Sequence, residues 1–277
     1  MNLGFIGTGS MGSILIEAFL QSGAVQPAEI IAVNRTRSKA EQLACKHPGL
    51  RTASSIAEVA QGSEVIFICV KPMEFRYVLP GLREAVTSDQ IAVSITSPVL
   101  LELLEDQLPC KVAKVIPSIT NYALGGASLC MYGSRMTETD RRRLSDLLNR
   151  ISTPIEIDES HTRAASDLSS CGPAFLAFFI RQFVIAAVEL TGISEETAVS
   201  LAAEMTLGTG KLLTSGAFTP ESLQQRVAVP GGITAEGLRI LSEEMGAAFH
   251  RLIRTTHAKY EEDIEKIEAA FYGTRVD

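Results

Sequence analysis

The hydrophobic rhythm of the chain changes once. Up to residue 158, short apolar runs alternate with stretches whose apolar positions recur every three or four residues. The runs are LGFIG at 3–7, EIIAVNR at 29–35, EVIFICVKP at 64–72, QIAVSIT at 90–96, KVAKVIPS at 111–118 and TPIEID at 153–158. Short apolar runs bounded by turn residues predict strands, and 64–72 is too apolar to have a wet face. Between them, 13–23 and 37–47 carry a helical period, with Gly23 as the stop of the first. Buried strands interleaved with helices predict an α/β fold, a mostly parallel sheet with helices on both faces.

After 158 the strand signal ceases and helical patterns run on. One covers 161–170 and is predicted to break at Cys171-Gly172-Pro173; a second covers 173–190. A third, 194–213, opens with Ser194 as N-cap and acidic residues in its first turn. A fourth opens with Thr219 as cap and Pro220 at the first helical position. The last runs over 234–272 with a predicted interruption near Gly246. The expected organisation is a dinucleotide-binding domain over 1–158 and an all-helical domain over 159–277. The helix at 173–190 is apolar nearly all round, and Arg181 and Gln182 leave each half too short to span a bilayer. A helical domain this small cannot bury such a helix alone, so a second copy is expected to cover it, giving a homodimer.

Composition narrows the classes. The 277 residues are 46% hydrophobic and 21% charged, as in ordinary globular proteins, with no Trp, so Ala, Val, Ile and Leu must build the core. A net charge of −7 argues against nucleic acid or an anionic membrane as partner. The basic run Arg141-Arg142-Arg143 lies opposite Leu144, Leu147 and Leu148 and reads as the solvated face of a helix. The cysteines at 45, 69, 110, 130 and 171 form no C-x-x-C pair, which fits a reducing cytoplasm rather than a disulfide framework. His250 and His257 have no third ligand candidate, so no metal is expected. The first residues run into a glycine loop without a basic stretch and do not read as a signal peptide.

The chemistry concentrates in a few motifs. Gly7-Thr8-Gly9-Ser10-Met11-Gly12 is a G-x-G-x-x-G loop directly after a strand and before a helix. In that context Gly7 permits the turn, Gly9 lets the backbone approach a pyrophosphate, and Gly12 lets helix and strand pack closely. The helix start then offers N–H groups to the phosphates. At the end of the second strand, where an NAD site carries Asp or Glu, stand Asn34, Arg35 and Thr36. A carboxylate would repel a 2′-phosphate, whereas this trio can bind one, so NADP(H) is expected. Val70-Lys71-Pro72 follows a later strand, at the end where parallel sheets bind ligands. Near the C-terminus, Val229-Pro230-Gly231-Gly232-Ile233-Thr234 breaks an otherwise helical pattern, and Pro and Gly disfavour helix.

Taken together, GFIGTGSMG, NRT, VKP, SCGPAF at 170–175 and VPGGITAEGL at 229–238 resemble the pyrroline-5-carboxylate reductase family over essentially the whole chain. The resemblance implies NAD(P)H-dependent reduction of a cyclic imine to proline and an interleaved helical dimer. It further implies that the Gly231, Gly232 and Ile233 backbone and the Thr234 hydroxyl hold the substrate carboxylate, with Thr234 the catalytic-site residue. Cys171 and Gly172, with Pro173, would shape the pocket floor, Cys171 as a packing residue rather than a nucleophile. The glycine-rich turn before a helix suits an anion, since its donors stand unpaired at the positive end of the helix dipole.

Several positions depart from the family pattern. Ile116-Pro117-Ser118-Ile119-Thr120 stands for Met-Pro-Asn-Thr-Pro; Cys171 and Phe175 stand for Ser and Tyr; Val229 and Ile233 stand for Ser and Thr; and 215–218 lacks a Glu. These changes remove polar groups from the implied substrate pocket and leave the nucleotide loop intact. They resemble the ComER-type paralogues encoded with competence genes, which implies a regulatory, non-catalytic alternative. A β-hydroxyacid dehydrogenase would share the glycine loop but needs a Lys early in the second domain; 160–210 contains none, and Lys211 comes too late.

Overall fold

The computed structural model describes residues 1–273; 274–277, the end of the predicted helical domain, lie outside the described residues. Among the described residues, eight strands form one sheet: β1 (Leu3–Ile6), β2 (Ile30–Val33), β3 (Arg51–Thr52), β4 (Val65–Ile68), β5 (Ile91–Ser94), β6 (Lys111–Ile116), β7 (Ala127–Tyr132) and β8 (Thr153–Glu156). Their order is β3-β2-β1-β4-β5-β6-β7-β8, parallel throughout except where β6 meets β7. Leu3 sits between Ile30 and Val65 in register, so β1 runs down the middle of the nucleotide half of the sheet. Strands β1, β4 and β5 are buried on both faces, as their unbroken apolar runs require.

Alternation along each strand divides the core in two. Phe5, Phe67 and Val93 point to one side, where Phe5 stacks on Phe67 at 5.1 Å and Phe19 of α1 (Ser10–Gln21) closes over Phe67. Leu43 of α2 (Arg37–Lys46) belongs to the same core. Ile66, Ile68 and Ala92 point to the other side, against Val59 of α3 (Ile56–Gln61), Leu79 of α4 (Phe75–Ala85) and Leu103 of α5 (Leu101–Gln107). The basic run lies in α6 (Glu138–Leu148), whose Leu144, Leu147 and Leu148 are buried as the pattern predicts.

The helical half differs from the sequence expectation at two places. The helix expected to break at Cys171–Pro173 continues: α7 (Thr162–Ser166) passes through a π-helical turn, Asp167–Cys171, into α8 (Gly172–Thr191). Pro173 lies inside this continuous helix, so its missing N–H cannot serve the Ser169 carbonyl one turn earlier; Ser118 Oγ donates to that carbonyl at 3.0 Å instead. The second expected break, near Gly246, is also absent: α11 runs unbroken over Ile233–Tyr272. An isolated glycine weakens a helix by only about 1 kcal/mol, too little to end one forty residues long. The expected caps are present. Ser194 Oγ accepts from Thr197 N at 3.2 Å ahead of α9 (Glu195–Thr214), and Thr219 Oγ1 accepts from Ser222 N at 3.1 Å ahead of α10 (Pro220–Val227).

The chain divides into two compact units, Met1–Pro173 with the chain from Thr256 onward, and Ala174–Thr255. These cuts differ from 158/159 because the chain beyond β8 and the end of α11 pack on the first unit: Ile267 is buried beside Leu103. A partly buried ion pair fastens the first of these segments. Lys114 Nζ, fully buried on β6, lies 2.7 Å from Glu159 Oε1, and the same carboxylate accepts the Leu101 N–H at 3.0 Å. Burial pushes the Lys114 ammonium below its ordinary range, against the pull of Glu159. The second unit has a small core, Val184, Ala198 and Ala202, and leaves Phe178, Phe183 and Leu190 of α8 at 62%, 60% and 84% exposure.

Candidate active site

The glycine loop is built as a cradle. Gly7 takes a φ of +102°, and a Cβ there would lie 2.4 Å from the Cys69 carbonyl oxygen. A Cβ on Gly12 would lie 2.3 Å from the Gly7 oxygen, so both positions demand glycine for packing. Gly9 differs: nothing stands within 4 Å of its Cβ position, so its missing side chain leaves open space. Gly9 is the N-cap of α1 with no side-chain cap, and the Ser10 and Met11 N–H groups have no acceptor among the described residues. Open space, bare donors and the positive end of a helix fit a pyrophosphate.

Asn34 pins this loop to the end of β2. Its Oδ1 accepts from Thr8 N at 3.0 Å and its Nδ2 donates to the Thr36 carbonyl at 3.0 Å. Arg35 is 85% exposed on its side chain, and its guanidinium lies 2.7 Å from Glu74 Oε1. Val70, Lys71 and Pro72 lie just past the end of β4; the Val70 carbonyl accepts from Thr96 Oγ1 at 3.0 Å, Lys71 is exposed, and Pro72 opens a short turn ending at Glu74. Two residues beside the loop escaped the sequence reading. Lys39, five positions after Asn34 in the first turn of α2, joins Thr8, Gly9, Ser10 and Ser13 around a cavity of about 360 Å³. Its signal was a cation on the helix following the Asn-Arg-Thr triplet. Glu74 lies distant in sequence from Arg35, and no local pattern betrays the pair.

In the first unit, Cys171 and Gly172 close the π-helical turn. Cys171 is partly buried, with Arg163 Nη2 3.0 Å from its Sγ. Arg163 also pairs with the buried Asp167 at 2.8 Å, and Thr256 Oγ1 donates to the other Asp167 oxygen at 2.6 Å. A Cβ on Gly172 would approach the Asp167 carbonyl to 3.2 Å, so the turn favours glycine there.

In the second unit, the 229–234 segment makes a tight corner at the start of α11. Gly231 takes a φ of +72°, and Gly232 N donates to Val229 O at 2.9 Å. A Cβ on Gly232 would lie 2.8 Å from Val229 Cγ2, so Val229 fills the space a side chain would need. The N–H groups of Gly231, Ile233 and Thr234 have no acceptor among the described residues. Ile233 is 95% exposed, and Thr234 borders an apolar cavity of about 320 Å³ with Leu213, Leu223, Val227 and Leu238. The corner therefore offers bare donors, one hydroxyl and little other polarity.

Comparison with known proteins places the chain. Residues 159–263 match the family profile for pyrroline-5-carboxylate reductase dimerisation, and 2–98 match that for NADP oxidoreductase, coenzyme F420-dependent. Pyrroline-5-carboxylate reductase 3 of Bacillus subtilis is 30% identical over 260 residues, covering 94% of this chain and 95% of that protein. The chain belongs to the pyrroline-5-carboxylate reductase family. The chain is also similar to ComE operon protein 4 of Bacillus subtilis, 42% identical over 272 residues, or 98% of this chain and 100% of that one. The crystal structure of Plasmodium falciparum pyrroline carboxylate reductase with NADP bound superposes with a TM-score of 0.81 at 25% identity, covering 98% of each chain. The N-terminal parallel sheet thus belongs to a Rossmann-like NADP domain, and the C-terminal helices to a pyrroline-5-carboxylate reductase dimerisation domain. Contrary to the expectation from Arg181 and Gln182, the helical stretch Glu159–Thr191, which includes α8, is long and apolar enough to cross a membrane by length and composition alone. It lies inside the dimerisation match of this reductase-family chain.

Proposed function

We propose that this protein is an NADPH-dependent reductase of a cyclic imino acid, 1-pyrroline-5-carboxylate or a related imine, acting as a cytoplasmic homodimer. Residues 1–158 serve the nucleotide, and 159–277 serve substrate and dimer. The observation that carries the reading is the open cradle at Gly9 above an uncapped helix start, with Arg35 at the edge where a 2′-phosphate would lie. Ser10, Met11 and Gly9 hold the pyrophosphate, Thr8 and Asn34 fix the loop, and Arg35, Thr36 and Lys39 take the 2′-phosphate; Val70, Lys71 and Pro72 border the cofactor. Bound NADPH supplies the hydride for the C=N bond. Gly231, Gly232, Ile233 and Thr234 hold the substrate carboxylate through N–H groups and a hydroxyl; Cys171 and Gly172, in the first unit, are carried over from the family pattern as floor residues. A protonated imine is already electrophilic, so orientation is most of what these residues contribute.

Exposed Phe178, Phe183 and Leu190 support the homodimer, since large exposed apolar surfaces on soluble chains mark interfaces. A second reading, a nucleotide-binding paralogue that acts without turnover, is supported by the apolar residues Phe175, Val229 and Ile233, which stand where the family pattern has hydroxyl side chains. An NADPH oxidation assay with pyrroline-5-carboxylate, run beside NADPH binding, separates the two. Turnover supports the reductase, and binding without turnover supports the paralogue. Light scattering tests the dimer, and a monomeric mass would overturn it.

A further inference from the structure

The end of β2 carries no carboxylate in sequence, yet the fold brings one there. Glu74, at the end of the short turn Pro72–Glu74 after β4, holds Oε1 2.7 Å from the Arg35 guanidinium. Its other oxygen accepts the Lys71 N–H at 3.3 Å, so the carboxylate is anchored to backbone and does not swing freely. Its side chain is 28% exposed, while that of Arg35 is 85% exposed. The anchored partner is the acid and the mobile partner is the base. A 2′-phosphate approaching Arg35 meets a guanidinium whose charge is already half spoken for, next to a fixed negative charge.

We propose that Glu74 sets the coenzyme selectivity of this chain by competing with the 2′-phosphate for Arg35. This rests on the assignment of Arg35 to the 2′-phosphate. Like charges held a few ångströms apart repel even in water, and an exposed pair is weak enough for a phosphate to break. NADPH therefore binds at the expense of the Arg35–Glu74 pair, while NADH, which has no 2′-phosphate, leaves the pair intact. The acid narrows the preference for NADPH over NADH that Arg35 alone would give.

The test is equilibrium binding of NADPH, NADH and 2′,5′-ADP, read by fluorescence or calorimetry without turnover, on the full chain and the variants Glu74→Gln, Arg35→Ala and the double variant. Gln keeps the acceptor for Lys71 N, so the turn is preserved. Glu74→Gln should tighten NADPH and 2′,5′-ADP about three- to tenfold and leave NADH unchanged. The gain should shrink at high salt and largely vanish in the Arg35→Ala background. Unchanged or weaker NADPH binding by Glu74→Gln, while Arg35→Ala weakens it, overturns the role of Glu74 alone. No effect of Arg35→Ala overturns both that role and the assignment of Arg35 beneath it. A change in NADH equal to that in NADPH also overturns the proposal.

Discussion

Ser118 donates its hydroxyl to the Ser169 carbonyl at 3.0 Å, across fifty-one positions of sequence. That carbonyl lies four residues before Pro173, which has no N–H to offer it. The bond lets the helix continue through Cys171-Gly172-Pro173 instead of stopping. Ser118 is buried, and its Oγ also accepts from Thr120 N at 3.4 Å. Ser118→Ala leaves a partly buried carbonyl without this donor and should lower unfolding free energy by about 0.5–1.5 kcal/mol. Denaturant unfolding should show a lower midpoint at an unchanged slope; an unaltered midpoint would mean that the carbonyl finds another donor.

Glycines in one motif should respond differently. Gly9 has φ −72° and ψ −167°, which alanine adopts readily, and nothing stands within 4 Å of the added Cβ. Gly9→Ala should therefore fold with stability within about 0.5 kcal/mol of wild type and lose NADPH affinity by about tenfold or more, because the methyl occupies the cradle. Gly12→Ala drives a methyl to 2.3 Å from the Gly7 oxygen and should destabilise by about 1–3 kcal/mol. Thermal melts and NADPH titrations on both variants check this contrast. Equal destabilisation would remove the distinction between a packing glycine and a ligand glycine.

How much of this was legible beforehand follows from which interactions are local. β1, β2, β4, β5, β6 and β8 and the caps Ser194 and Thr219 were readable because apolar runs and cap residues act over a few positions. β7 was not, since Ser128 interrupts its apolar pattern although it is fully buried. The short β3, only Arg51–Thr52, has no hydrophobic signal at all. The glycine loop was legible because each glycine answers a backbone constraint. The Ser118–Ser169 and Arg35–Glu74 contacts were not, because each joins residues whose proximity only the tertiary fold creates. The two helix breaks read from Pro173 and Gly246 failed for one reason: local propensity is a weak term that a distant donor, or a long helix, overrides.

Acid should expose a second local device. The Asp140 carboxylate accepts from Thr137 N at 3.0 Å, from Thr137 Oγ1 at 2.6 Å and from Lys111 Nζ at 2.9 Å, capping α6. Burial would raise its pKa, but the Thr137 and Lys111 hydrogen bonds outweigh burial and hold it below the ordinary value of 3.8. With a lower pKa folded than unfolded, the group stabilises fully above 3.8, and the contribution is lost as pH falls through the folded value. Asp140→Asn should therefore melt below wild type at neutral pH, and the gap should close on acidification. A gap that stays constant from neutral pH down to about pH 2 would show that the effect is loss of shape rather than of charge.

The corner at 231–234 carries the last prediction. Thr234 contributes the hydroxyl there, and the N–H groups of Gly231, Ile233 and Thr234 have no acceptor among the described residues. If the corner holds the carboxylate, removing the hydroxyl deletes one charge-assisted hydrogen bond, worth about 1.5–3 kcal/mol. Thr234→Ala should then raise KM for the imine, or Kd for proline, by about tenfold or more, while Thr234→Ser retains most of the affinity. NADPH affinity should be unchanged in both, because the pyrophosphate cradle belongs to Gly9 and α1 in the other compact unit. An equal loss for imine and coenzyme would assign Thr234 to general stability. No loss for either would remove the corner from the substrate site and leave the bare donors of Gly231 and Ile233 without a ligand.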